Sequence, residues 1–430
     1  MSRRFLLIAA GPLAVAAGVL VMLLAGGVRR APASADTTLA AVVQRAGDGD
    51  SVAIARATLA RCASRKDDGR RDCYAEVLLG LVRENRIRLA MGVLGRVQEA
   101  DPDVRRRGHD LSHVVGINAW RPGKPLGPVY AQCTELFQSG CYHGVIQAYF
   151  AWSGIDSATV AGVCDAAPEI RDSPWLRFQC VHGVGHGLVQ ARRLDLPRAL
   201  AGCEQLHSWF DRESCYGGAF MEFILGSRGQ GHHPAAGPEH GAHGHETAAD
   251  SAPPFRYRDP NDPLYPCTAV GERYQRACYE LQAGIIYEFT RGDLAGLSRA
   301  CDGAPVALRP SCYQGIGTYI TGLTTRDAAR TIEICGMGHP DYREWCFVGV
   351  VKNFVDVTSR AEDGLDYCRR LEEGSLRTRC YVAVGEQVHL LHQTSAGRER
   401  VCSGAEPAYV AACRYGARLT PDRPAGLRGI

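Results

Sequence analysis

The sequence predicts an all-α fold, an α/α solenoid of about ten 34-residue helix-pair repeats. Three observations predict it. The eighteen cysteines fall into local pairs with none left over. The second members of five successive pairs, Cys278, Cys312, Cys346, Cys380 and Cys413, stand 34, 34, 34 and 33 residues apart. Within one period, apolar residues recur at helical spacing on either side of a break. Leu294, Leu297 and Cys301 precede Gly303-Ala304-Pro305, and Tyr313, Ile316 and Ile320 follow it. One helix pair cannot bury its apolar face alone, so such a period implies stacked neighbours.

The chain begins with Arg3-Arg4, an apolar run from Phe5 to Val28, then Arg29-Arg30. About 20 apolar residues cross a bilayer, so residues 1–35 are expected to be a signal-anchor or transmembrane segment. Ala33-Ser34-Ala35 would equally serve as a signal cleavage site. Either way the rest of the chain faces the periplasm or cell exterior, membrane-anchored in the first case and secreted in the second.

Repeats 1–5 are expected over residues 45–225 and repeats 6–10 over 263–418. The nine cysteine pairs are Cys62/Cys73, Cys133/Cys141, Cys164/Cys180, Cys203/Cys215, Cys267/Cys278, Cys301/Cys312, Cys335/Cys346, Cys368/Cys380 and Cys402/Cys413. Cys73 to Cys141 is 68 residues, two periods, with Arg107 where a cysteine would fall. None of the cysteines forms C-x-x-C, which disfavours zinc knuckles, thioredoxin-type redox and covalent haem. Outside the cytoplasm the default is disulfides. An aromatic residue follows the second cysteine as Tyr74, Tyr142, Tyr216, Tyr279, Tyr313, Phe347 and Tyr381. Glycine stands three past it at Gly144, Gly183, Gly218, Gly315 and Gly349. These read as a core ring and a site of close helix approach. Residues 226–262 form a His/Pro/Gly-rich insertion, expected to be a loop. It carries His232, His233, His240, His243 and His245, a candidate metal-capturing tract. Residues 419–430, rich in Pro, Gly and Arg, are expected to be a disordered tail.

The 34-residue helix-pair pattern resembles tetratricopeptide and Sel1-like repeats, and most closely the secreted cysteine-rich Sel1-like proteins. The resemblance spans roughly residues 45–418 and is one of architecture. It implies a disulfide staple within each helix pair and a binding scaffold, and brings no active site with it. Each staple would close a loop of about a dozen residues, worth roughly 3 kcal/mol in the chain-entropy model.

The histidines point to chemistry. Counting from the second cysteine, or from Arg107, position two holds His109, His143 and His182 in three consecutive repeats. Position six holds His113, Gln147 and His186. Positions four apart share a helix face, and adjacent helices pack about 8–10 Å apart, so imidazoles of neighbouring repeats can reach toward a shared ion. One ion held by all five needs strong curvature, whereas two sites sharing His143 need less. Asp110 and Glu222 are the nearest carboxylates by register. Imidazole clusters without free thiolate suit zinc or copper, with iron possible. His207, His339, His389 and His392 lie outside the register and are expected to be structural.

The function expected first is metal sequestration or delivery. The alternatives are a metal-dependent enzyme with a His-ligated zinc or iron centre, and a metal-free scaffold for an envelope protein partner. Near-neutral composition, with a net charge of +3, carries no nucleic-acid footprint.

Overall fold

The structure, a computed structural model, describes residues 41, 43–44, 50–227 and 255–427. The proposed signal-anchor segment and the five insertion histidines lie outside the described residues. Among the described residues no helix is long and apolar enough to cross a membrane. Regular structure there is helical throughout, apart from one isolated bridge between Asp259 and Asp262.

The first half of the chain runs α1 (Ser51–Cys62), α2 (Asp67–Arg83), α3 (Ile87–Ala100), α4 (Pro102–Ala119), α5 (Leu126–Tyr130) and α6 (Gly140–Ser153). It continues through α7 (Ser157–Gly162), α8 (Pro168–Arg171), α9 (Pro174–Ala191), α10 (Leu196–Cys203) and α11 (Trp209–Ser227). The second half runs α12 (Glu272–Leu281), α13 (Ala283–Phe289), α14 (Leu294–Asp302), α15 (Arg309–Leu323), α16 (Ala328–Gly336) and α17 (Arg343–Thr358). It ends with α18 (Ala361–Cys368), α19 (Ser375–Leu391), α20 (Ser395–Cys402) and α21 (Val410–Gly416).

Local chemistry repeats with the period. An aspartate caps the first helix of many pairs: Asp50, Asp156, Asp195, Asp293 and Asp327 each accept a backbone N–H of the first turn. The preceding chain reversal uses left-handed residues, as at Arg193-Leu194 and Thr325-Arg326. Those positive φ values belong to the repeat and mark no site. All nine expected cysteine pairs are bonded, with Cα–Cα distances from 5.4 Å (Cys402–Cys413) to 5.9 Å (Cys164–Cys180). No free cysteine is found among the described residues, the chemistry of an oxidising compartment.

The second helices stack in order, and glycines set their spacing. A Cβ on Gly185 of α9 would lie 2.1 Å from the Cys215 carbonyl oxygen, and one on Gly218 of α11 would lie 1.9 Å from that of His182. The two backbones therefore touch. Gly116 and Gly144 join α4 to α6 in the same way, as do Gly317 and Gly349 for α15 and α17, and Gly385 and Gly416 for α19 and α21. The close approach foreseen at Gly144, Gly218 and Gly349 is thus one side of a reciprocal contact.

The stack curves back on itself. The Phe137 N–H reaches the Val357 carbonyl at 3.4 Å, and Gln393 Nε2 donates to Ser173 Oγ at 3.1 Å. Both contacts join residues 220 apart, so one turn of the coil takes about that length of chain. Positions two and six face inward. They become cavity wall in the later pairs, as Glu280, Gln314, Lys352 and Glu386 on one side and Met221, Gly284 and Thr318 on the other. The inward face therefore borders two partly open cavities. Leu419 and Leu427 pack against the core, so residues 419–427 are seated on the body.

Candidate metal centre

Three tightly spaced helices bring the five register histidines together. Helix α4 supplies His109 and His113, α6 supplies His143, and α9 supplies His182 and His186. His113, His143 and His186 are at most 2% exposed. His143 lies at the middle, its ring centroid 4.7 Å from that of His182, 5.2 Å from His186, 5.4 Å from His113 and 5.9 Å from His109. Potential ligand atoms converge in two sets, His109–His113–His143 and His143–His182–His186, each within 4.8 Å. The two sets share His143.

Four of the five rings are held from outside by an acceptor, which decides the tautomer. His109 Nδ1 donates to the Phe137 carbonyl at 2.7 Å, and His113 Nδ1 to Gln147 Oε1 at 2.8 Å. His143 Nε2 donates to Gln179 Oε1 at 2.9 Å, and His186 Nδ1 to Glu222 Oε2 at 2.9 Å. The backbone at Ser214 weakly favours a proton on the His182 ring. Donors thus point outward, and the remaining nitrogens turn inward as lone pairs. His143 Nδ1 is buried with no hydrogen-bond partner.

His109 Nε2 and His113 Nε2 stand 3.1 Å apart. With both Nδ1 protons committed outward, the two inner nitrogens meet favourably when they share a proton or a metal ion. Nitrogens bound at about 2.0–2.1 Å to a tetrahedral ion stand roughly 3.3 Å apart, close to the observed separation. Electrostatics suit the same use. Burial, then the neighbouring imidazoles, hold His143 and His182 well below the ordinary imidazole range. Both rings are neutral at physiological pH, the form that binds metal.

The two carboxylates take different places. Glu222, 1% exposed, bonds His186 Nδ1 and accepts from Gln147 Nε2 at 3.3 Å and Gln190 Nε2 at 3.1 Å. It orients ligands rather than joining either set. Asp110 lies beside His109 on a cavity wall and is likewise outside both sets. His207, His339, His389 and His392 join no such set either; His389 instead meets Arg398 Nη1 at 2.7 Å.

Several contributors carry no obvious signal in the sequence. Gln147 occupies position six between His113 and His186, so register could have found it. Gln179 sits one residue before its cysteine and breaks the register. Phe137, Gln138 and Ser139 form three consecutive left-handed residues, with φ of 56°, 53° and 61°. Each costs roughly 1–2 kcal/mol in that conformation. The strain aims the Phe137 carbonyl at His109 while its ring packs over Gly108.

Two cavities lie near the centre. One, of about 980 Å³, lies on the His182 side, where Gly217 is a wall residue, and is lined by Phe178, Trp209 and charged groups. The other, of about 430 Å³, is mostly apolar and includes His109 in its wall. No protein-family model matches the chain, and no curated protein or solved structure is found similar to it.

Proposed function

We propose that this chain is an extracytoplasmic, membrane-anchored helical-repeat protein that binds a transition metal through His109, His113, His143, His182 and His186. Its role in this reading is sequestration or delivery, with zinc or copper as the ion and iron as the third choice. The observation that carries the reading is the facing pair of Nε2 atoms on His109 and His113, 3.1 Å apart with both outer protons committed. Burial of His113, His143 and His186 favours retention of an ion.

The remaining parts of the reading have separate support. Period, staples and ordered stacking favour a ten-repeat α/α solenoid of tetratricopeptide and Sel1-like type. The apolar run from Phe5 to Val28 favours an N-terminal anchor, and nine bridges favour the periplasm or cell exterior. An envelope protein is the natural macromolecular partner for such a scaffold.

A second reading, a metal-dependent enzyme, is favoured by the apolar cavity that reaches His109. A small molecule held there would sit beside the centre, as substrates do at open metal positions.

The test is metal analysis of the full chain purified without a metal-affinity column. Wild type should retain one or two equivalents, and a His109→Ala/His143→Ala/His182→Ala variant almost none. Equally negligible metal in both would leave only the metal-free scaffold.

A further inference from the structure

The cavity of about 430 Å³ lies within the range of small-molecule sites and is walled mainly by Met221, Ile224, Leu225, Leu281 and Tyr319. Polar groups also line it, Asp110 and Gln138 among them, and two features bear on what it could hold. Asn353 on α17 is 6% exposed and lines the cavity, and its side-chain amide makes no hydrogen bond among the described residues. An amide that lines a mostly apolar cavity without a protein partner is free to hydrogen-bond an occupant. At the cavity edge stand Arg105 and Arg326, joined across the coil turn. Arg105 is committed to the carbonyls of Gln98 and Glu99. The Arg326 guanidinium has no hydrogen bond or ion pair among the described residues.

We propose that this cavity binds a small amphiphilic carboxylate, its apolar body against Met221, Ile224 and Leu281 and its carboxylate on Arg326 and Arg105. Asn353 hydrogen-bonds a polar atom of the same molecule. The anion resolves an electrostatic conflict. Burial and the neighbouring Arg105 charge both disfavour the Arg326 cation, and Asp363, on the outer side, offsets them only in part. A carboxylate between the two guanidiniums forms the planar, charge-assisted contacts for which arginine is suited. A cationic amphiphile would meet like charge there and bind poorly. The apolar lining excludes inorganic anions as the preferred ligand, because they bury no hydrocarbon. Binding in this cavity does not require the ion, so it stands or falls separately from the metal reading.

The experiment is calorimetric titration of the full chain with octanoate, with octylamine as the charge-reversed control and metal content measured on the same preparations. Octanoate should saturate a single site and octylamine should not bind. Arg326→Gln and Asn353→Ala should each weaken octanoate about tenfold or more, with metal content unchanged. Thr318→Trp, which fills the cavity from its wall, should abolish binding. No octanoate binding, equal binding of octylamine, or wild-type affinity in both Arg326→Gln and Asn353→Ala overturns the proposal. Octanoate binding by a preparation that takes up no metal removes the metal reading and leaves this one. Metal uptake without octanoate binding does the reverse.

Discussion

Glu222 and His186 meet at 2.9 Å, with side chains 1% and 0% exposed. A carboxylate bonded to the outer nitrogen of an imidazole fixes the ring and raises the basicity of the inner nitrogen. Glu222 also gathers the amides of Gln147 and Gln190, and Gln147 in turn holds His113. One buried carboxylate therefore steadies ligands on two helices.

Glu222→Gln should keep the fold and lower metal affinity by about 10–100-fold, the usual effect of losing such a partner. Competition with a chelator measures it. Glu222→Leu leaves the His186 Nδ1–H and two amides without an acceptor and should destabilise the chain by at least about 2 kcal/mol. Denaturant unfolding separates the two effects.

His143 belongs to both ligand sets, whereas His109 belongs to one. His143→Ala should remove nearly all bound metal. His109→Ala should leave the His143–His182–His186 set and roughly half the metal or more. Elemental analysis of the two variants decides this, and equal losses would mean a single five-histidine centre.

Much of this was legible in the sequence because the period repeats it. The cysteine spacing identifies partners that are adjacent in the chain, and nine bridges follow from it. The five histidines share register, and helices side by side carry register into space. The contacts between Phe137 and Val357 and between Ser173 and Gln393 were not legible. They join residues 220 apart, and that distance depends on small rotations accumulated over many interfaces, which no single repeat encodes. The Phe137 turn was hidden for another reason, since three non-glycine residues in left-handed conformation run against local preference. Gln179 was missed because it lies off the register of the histidines it serves.

Gly218 tests how finely the centre depends on helix spacing. Its Cβ position lies 1.9 Å from the His182 carbonyl oxygen, which belongs to helix backbone and cannot swing aside. Gly218→Ala must push α11 away from α9. Overpacking of this kind typically costs about 1–3 kcal/mol, and the displacement separates Glu222 from His186. Lower thermal stability and weaker metal binding should appear together. Gly322→Ala is the control, because a Cβ there meets nothing within 4 Å.

The neutral imidazoles predict how stability depends on acid. Burial and neighbouring rings hold His143 and His182 below the ordinary value of 6.5. Below that pH the unfolded chain takes up protons that the folded chain refuses, so stability falls as pH falls. Above it the contribution is constant. Metal-free protein should therefore lose stability progressively below about pH 6.5, and His143→Ala should flatten that slope. Urea midpoints between pH 4.5 and 8 measure it.

Asp356 works in the opposite direction. Burial raises its carboxyl from 3.8 to about 7, and Lys352 one turn earlier only partly opposes the shift. The Lys352 charge is already committed to Glu386 Oε2, 2.7 Å away. Between those two values the folded chain holds a proton that the unfolded chain has released, so stability falls as pH rises through the window and levels off above 7. Asp356→Asn removes the ionisation and should stabilise the chain at pH 8 while changing little near pH 3. The side chain keeps some contact with water, which discounts the gain to about 1–2 kcal/mol. Unfolding midpoints of the variant and wild type should converge on acidification. An unchanged midpoint at pH 8 would mean that Lys352 already neutralises this carboxylate.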